Sequence, residues 1–144
     1  MDVRIEAARP DDLAAMLALL DQHRLPHAAI ERHLADAVVA REGTRVVGCA
    51  AVERYGASGL LRSVAVDGPR RGTGLGGRLT DAALAHARAQ GVRTVYLLTE
   101  TAAEFFPRFG FRPIARDAVD PAVRASVEFT SACSETALVM VKEL

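Results

Sequence analysis

Tryptophan is absent, lysine occurs once (Lys142), and aromatic residues make up only 5% of the chain. A surplus of one charge is missing too: Lys+Arg and Asp+Glu number 18 each, so the formal net charge is zero. Such a chain lacks the basic excess expected of a nucleic-acid binder, although a local patch would escape this count. Cysteine is confined to Cys49 and Cys133. A chain able to build its own core needs no disulfide framework from so few thiols, which points to a reducing compartment. No run approaches the roughly 18 uninterrupted apolar residues of a membrane span. Residues Met1 to Glu6 carry charges where a secretory leader needs an apolar stretch. The expectation is a soluble, cytoplasmic protein with neither nucleic acid nor membrane as partner.

What is present is an ordinary globular balance: 50% hydrophobic and 25% charged residues in 144 positions. That length supports one core and one domain, residues 1–144. No internal repeat, low-complexity run or long linker interrupts it. Residues 2–8 have the pattern of a short strand. Arg9-Pro10-Asp11-Asp12 opens a helix, with proline in the first turn and acids at the positive end of the dipole. Leu13, Met16, Leu17 and Leu20 then form one apolar helical stripe. Pro26 ends that region, and 27–36 is expected to form a second short helix. Three strands follow at about 37–42, 45–54 and 59–67; their short Gly-bearing gaps predict antiparallel hairpins. A glycine-rich turn leads into an Ala/Leu-rich helix that runs to about Gln90 before Gly91, and Val92–Leu98 reads as a buried strand. Thr101-Ala102-Ala103-Glu104 fits a capping box for a short helix through Phe109. Strands at 111–115 and 136–141 flank a stretch at 117–126 that reads as irregular or briefly helical. The order βααβββαβαββ predicts an α/β fold, a mixed sheet with helices on both faces.

The glycine-rich turn is Arg71-Gly72-Thr73-Gly74-Leu75-Gly76-Gly77, between a strand and a helix. Glycines let the backbone turn tightly and approach a ligand with no Cβ in the way. The first amides of a helix have no internal partner and lie at its positive end. A phosphate or pyrophosphate is the natural occupant, with Arg70 and Arg71 adding charge beside it. The spacing Gly72-x-Gly74-x-x-Gly77 also matches the dinucleotide fingerprint, with Glu100 further on. That fingerprint wants its first glycine almost directly after the strand, within a βαβ unit. Here Asp67 to Arg71 intervenes, the preceding strands are hairpin-connected, and too little chain follows for a second nucleotide-binding half. The Walker pattern fails because no Lys-Ser/Thr follows the glycines.

Arg71, Gly74 and Gly76 fit the signature Arg/Gln-x-x-Gly-x-Gly/Ala, and Phe105-Phe106-Pro107-Arg108-Phe109-Gly110-Phe111 is close to Leu/Phe-Tyr-x-x-x-Gly-Phe. With Leu60 to Val66 as a central strand, these residues resemble the GNAT superfamily of N-acetyltransferases along essentially the whole chain. A narrower resemblance is to acetyltransferases associated with arsenic resistance. It rests on Leu61–Val66, on Leu98–Ala102 with Phe105-Phe106, and on Val127-Glu128-Phe129 followed by Cys133 and Ser134. The resemblance implies a mostly antiparallel sheet whose central strands splay apart. It also implies acetyl-CoA as cosubstrate and no metal. Arg71, Gly72, Thr73, Gly74, Leu75, Gly76 and Gly77 would cradle the pyrophosphate. Val64, Ala65 and Val66 would pair with the pantetheine arm, while Thr99 and Phe106 stand at further CoA-contacting positions. Pairing of relatives through C-terminal strands makes a homodimer an expectation by analogy.

The implied reaction is attack of an amine on a thioester. It calls for an oxyanion donor, here a main-chain N–H near Val64, and for a base to deprotonate the ammonium. The family's usual acid, a tyrosine, is replaced by Phe106, and the central-strand carboxylate of many relatives is replaced by Arg62 and Ser63. A thiol with a pKa of about 8.5 leaves tolerably without a donor. Glu53, Glu100 and Glu128 are the candidate bases; each also fits a solvated surface carboxylate. Glu104 is assigned to the capping box. Tyr55 and Tyr96 fit packing roles. Strand alternation sends Arg62 and Ser63 to opposite faces, and either would contact the acceptor. Arg62 there suits an acceptor bearing a carboxylate or a phosphinate- or arsinate-like anion, and equally a strand-edge arginine reaching solvent. Cys133 would suit soft trivalent arsenic, and both thiols fit inert burial. His23, His27, His33 and His86 form no metal set. The expected function is N-acetylation of a small amine, including amino-acid-like arsenic- or phosphorus-containing toxicants. A non-catalytic acyl-CoA-binding module and a protein or peptide N-acetyltransferase are the alternatives.

Overall fold

The structure is a computed structural model that describes residues 2–132 and 136–144. Seven strands form one sheet in the order β1-β2-β3-β4-β5-β7-β6. They are β1 (Val3–Ala7), β2 (Ala37–Glu42), β3 (Arg45–Tyr55), β4 (Ser58–Val66), β5 (Thr94–Thr99), β6 (Arg112–Pro113) and β7 (Leu138–Glu143). The hairpins β2–β3 and β3–β4 form as their Gly-bearing gaps predict, with Gly43 at φ 60° and Gly56 at φ 68°.

The two main helices lie on opposite faces, as strand alternation dictates. Helix α1 (Leu13–Gln22) sets Met16, Leu19 and Leu20 against Ala37, Val39, Cys49, Ala51 and Ala65. Helix α2 (Leu75–Ala89) sets Leu75, Leu79, Ala83 and Ala87 against Val38, Ala40, Ala50 and Val52 on the other side. A third cluster joins Leu60, Tyr96, Val139 and Val141 to Val119 and to Val123 of α3 (Pro121–Arg124). Tyr96 therefore packs, as expected.

Some local expectations change. Residues 27–36 form a turn and then a 3-10 helix only from Ile30 to Asp36, entered through Ala29 at φ 62°. The final strand extends to Glu143, while the strand at 111–115 shrinks to Arg112–Pro113. The capping box at Thr101–Glu104 does not form. The 3-10 helix Phe106–Phe109 begins without a side-chain cap, and Thr99 Oγ1 instead accepts from the Ala102 amide at 2.9 Å. The helix begins only at Phe106, with Phe105 in the N-cap position, which is too far along the chain for Thr101 to cap; the Phe105 and Phe106 rings pack edge to face at 5.0 Å.

The sheet opens at its centre. Strands β4 and β5 are parallel and pair only at Ser58–Thr94, Gly59–Val95 and Leu60–Tyr96. Beyond Leu60 they diverge, so residues 61–66 keep β3 as a partner on one side only. Pairing between β3 and β4 slips between Cys49 and Ala51, leaving Ser63 and Val64 opposite the single residue Ala50. Ser63 takes φ 62° at this bulge.

Candidate active site

The divergence of β4 and β5 leaves a cleft of about 790 Å³. Its walls are β4 from Leu61 to Val66, β5 from Leu97 to Thr99, and residues 100–106. Pro26, after α1, and Glu128 close the end beside Arg62, while His23 against Val66 O and Arg71 lie toward the other. All three non-glycine residues with left-handed φ among the described residues adjoin this region. Arg24 (φ 54°) and Ser63 (φ 62°) line the cleft, and Ala29 (φ 62°) follows a carbonyl bound by Arg62. Strain of this kind persists only where surrounding contacts hold it.

At the Arg71 end, the glycines divide into two pairs. Gly72 (φ 80°) and Gly74 (φ 82°) need the left-handed conformation, and a Cβ on either would meet open space. Gly77 instead lets Phe109 approach the helix, since a Cβ there would sit 3.1 Å from a ring carbon, while a Cβ at Gly76 would make an ordinary contact with Phe105 at 3.5 Å. Gly74 is the N-cap of α2 and offers no side chain to its amides. The amides of residues 72–77 find no acceptor among the described residues, and the first helical bond is Arg78 N to Gly74 O at 3.2 Å. Thr73 Oγ1 donates to Arg70 O at 2.6 Å and braces the loop, while the Leu75 side chain is buried in the core. The Arg70 guanidinium is drawn away to Glu42, so of these two adjacent arginines it is Arg71 that lines the cleft.

In the middle of the cleft, Val64, Ala65 and Val66 present the free side of β4. His23 Nε2 lies 2.6 Å from Val66 O, and Gln22 accepts from the Gly68 amide at 2.9 Å and donates to Asp67 at 3.2 Å. The end of α1 thus grips the chain where it leaves β4 for the glycine loop. Phe106 is buried against Phe111 with ring centroids 5.9 Å apart and lines the cleft. Neither tyrosine lines the cleft.

The closed end holds a buried ionic cluster. Arg62 and Ser63 do not point to opposite faces: Arg62 Nε donates to Ser63 Oγ at 3.1 Å, because the left-handed turn at Ser63 breaks strand alternation. The Arg62 side chain is fully buried. It donates to Ala28 O at 2.8 Å, Pro26 O at 3.2 Å and Glu53 Oε2 at 2.8 Å. Glu53 is buried beneath it and does not line the cleft. Burial would push its carboxyl up, but hydrogen bonds from Ser126 at 2.6 Å, from Tyr55 and from Arg62 together hold it below the ordinary value. The same burial, together with its bond to Glu53, pushes the Tyr55 hydroxyl up to about 12. His33 sits 3.8 Å from Glu53, and burial lowers its pKa, favouring the neutral imidazole.

Of the candidate bases, Glu128 and Glu100 line the cleft. Glu128 is 7% exposed, its carboxylate 3.6 Å from Arg62 Nε and its amide bonded to Ser126 Oγ at 3.2 Å. Glu100 is exposed at the rim, as is Glu104. Cys49 lies in the core, its Sγ donating to Ser63 O at 3.2 Å, and burial pushes its thiol up to about 12. Cys133 and Ser134 fall outside the described residues. Among the described residues, no group of three or more His, Cys, Asp or Glu is placed to hold a metal ion. No described helix is long and apolar enough to cross a membrane.

Sequence reasoning missed the clasp of Gln22 and His23 on the end of β4, and the carbonyls of Pro26 and Ala28 as partners of Arg62. No local pattern announces contacts between residues so far apart in the chain.

A family model described as Acetyltransferase (GNAT) domain matches residues 33–113, which span β2 through β6 and hold both the splay and the glycine loop. The chain belongs to the GNAT acetyltransferase family. This GNAT domain is similar to an amino-acid acetyltransferase of Pseudomonas fluorescens, 38% identical over 92 residues, which are 62% of this chain and 21% of that protein. It thus spans about a fifth of the length of that relative. Its fold is similar to that of the N-acetylglutamate synthase of Neisseria gonorrhoeae, solved with coenzyme A and N-acetyl-glutamate. The TM-score is 0.85 at 22% identity, over 100% of this chain and 35% of that one. It is also similar to Rv2747 of Mycobacterium tuberculosis, solved in complex with CoA and NLQ. There the TM-score is 0.80 at 25% identity, over 98% and 99% of the two chains.

Proposed function

We propose that this domain transfers the acetyl group of acetyl-CoA to the amine of a small amino-acid-like acceptor. The observation that carries the proposal is the row of amides at residues 72–77 that have no acceptor among the described residues, at the positive end of α2 and next to the free side of β4. A diphosphate fits that end without meeting a Cβ at Gly72 or Gly74, and Arg71 adds charge beside it. The open side of Val64–Val66 suits an extended arm carrying amides, in the manner of strand addition. Thr99 and Phe106 border the path from that arm toward the closed end.

Acetyl-CoA would supply an activated thioester. At the Ser63–Val64 bulge the sheet ladder is interrupted, and a main-chain N–H there can face developing negative charge on the carbonyl oxygen. Glu128, the buried carboxylate of the cleft, takes the proton from the acceptor's ammonium. Glu100, at the rim, is the second candidate for that proton. No tyrosine stands by to protonate the leaving thiolate, whose pKa of about 8.5 makes a donor dispensable. Arg24 and Arg108 border the same cleft and suit an acceptor that bears an anion. The names of the amino-acid acetyltransferase relatives support that class.

The test is a panel assay that follows release of free thiol from acetyl-CoA. Its arms are amino acids, amino-acid analogues carrying a phosphinate or an arsenical group, simple amines and short peptides. Turnover is expected in the amino-acid-like arms. Turnover fastest with the arsenical or phosphinate analogues would narrow the substrate to toxicants of that kind. Activity confined to peptides would reassign the acceptor, and binding of CoA without turnover in any arm would leave a binding module.

A further inference from the structure

The buried cluster at the closed end is built for more than charge neutrality. Arg62 reaches five places: the carbonyls of Pro26 and Ala28, Ser63 Oγ, Glu53 and, at 3.6 Å, the Glu128 carboxylate. Glu53 answers from below and is itself fixed by Tyr55 and Ser126, the latter also bound by the Glu128 amide. Two segments far apart in sequence, the loop after α1 and the stretch 126–128, are thereby tied to one guanidinium. Both segments wall the cleft where it closes, through Arg24–Pro26 and through Glu128. A buried ion pair is commonly no more stabilising than well-packed apolar side chains of similar size, so stability alone is a weak reason for this one.

We infer that Arg62, held by Glu53, is a positioning residue that sets the loop after α1 and Glu128 in register as the two walls of the acceptor subsite. The kinetic part rests on the transferase reading above; the structural part does not. Arg62 and Glu53 touch neither the glycine loop nor the free side of Val64–Val66. Their loss therefore acts on the acceptor and spares acetyl-CoA. The fork geometry matters: the guanidinium spreads its donors over Ser63, two carbonyls and Glu53, whereas a lysine ammonium offers its three donors from a single point.

The experiment compares wild type with Glu53→Gln, Arg62→Lys and the double variant Glu53→Gln/Arg62→Met. The double variant removes both charges. The side-chain amide it places at position 53 still accepts from Tyr55 and Ser126 through its oxygen, while its nitrogen can donate to neutral His33. Three quantities are read: acetyl-CoA affinity by calorimetry, kcat and KM for the best amine, and hydrogen exchange of peptides covering 24–30 and 126–132. All three variants are expected to keep acetyl-CoA affinity within about twofold and to raise acceptor KM at least tenfold. Exchange should speed up at least tenfold in those two segments and nowhere else. The double variant should regain thermal stability relative to Arg62→Lys without regaining acceptor KM. Recovery of KM along with stability would make the role merely structural and overturn the inference, as would unchanged exchange in 24–30. If wild type turns over no amine, the transferase reading fails on its own, and the exchange arm still decides whether Arg62 holds the two walls.

Discussion

Gly74 stands at φ 82° with nothing within 4 Å of where a Cβ would point. Gly74→Glu is therefore costly in two separable ways. The left-handed backbone costs an L-residue about 1–2 kcal/mol, visible as a modest loss of stability. The carboxylate would stand among the unpartnered amides and repel a diphosphate, so CoA affinity should fall at least a hundredfold by calorimetry. Unchanged affinity would remove the proposed cosubstrate from this loop. Phe106 supports the opposite kind of expectation. It lines the cleft at a position where the GNAT signature carries tyrosine. Phe106→Tyr adds a hydroxyl to that ring, and turnover should hold or rise. Complete inactivation with an unaltered circular-dichroism spectrum would show that the thioester sulfur lies elsewhere.

At the scale of elements, the short 3-10 turn Pro10–Asp12 couples β2 to α1. Arg9 N donates to Asp12 at 2.8 Å, and the Arg41 guanidinium of β2 closes on Asp12 at 2.9 and 3.1 Å and on Glu6 of β1 at 2.5 Å. The Arg41 hydrogen bond holds the Asp12 carboxyl below its ordinary 3.8, against the opposing effect of burial. A depressed carboxylate binds protons more readily when unfolded. The contribution is thus complete above the ordinary value and is lost as pH falls through the folded one. Asp12→Asn should cost roughly 2 kcal/mol at pH 7, the worth of a charge-assisted hydrogen bond. Urea unfolding should show the gap from wild type shrinking below about pH 4, where the carboxylate of the unfolded chain begins to take up its proton ahead of the folded one. A gap of constant size would mean that packing, not charge, carries Asp12's effect.

For the whole molecule, the decisive feature is a sheet joined at one end of β4 and β5 and open at the other. A ligand that fills the opening binds only the folded chain. At about a hundred times its dissociation constant it adds about 2.7 kcal/mol, which for a domain of this size raises Tm by roughly 5–10 °C. Differential scanning fluorimetry with CoA and acetyl-CoA checks this directly. Equal Tm with and without either molecule would contradict the proposed occupancy of the cleft.

The linear chain by itself determined the two faces of the sheet, the strand hairpins, the glycine turn before α2 and the signatures around Arg71 and Phe105–Phe111. Each is a local pattern, a periodicity or a backbone demand met within a few residues. Only tertiary structure decided which candidates share a site. Glu53 and Glu128 read alike as isolated carboxylates, yet packing buries the first beneath Arg62 and opens the second to the cleft. Ser63 reads as an ordinary strand residue, yet its bulge against Ala50 turns it to the same side as Arg62. The capping box at Thr101 reads as sound, yet the helix begins only at Phe106 and the Ala102 amide goes to Thr99 Oγ1. Burial, charge pairing and side-chain direction depend on neighbours that arrive from distant parts of the chain, and no short stretch of sequence contains them.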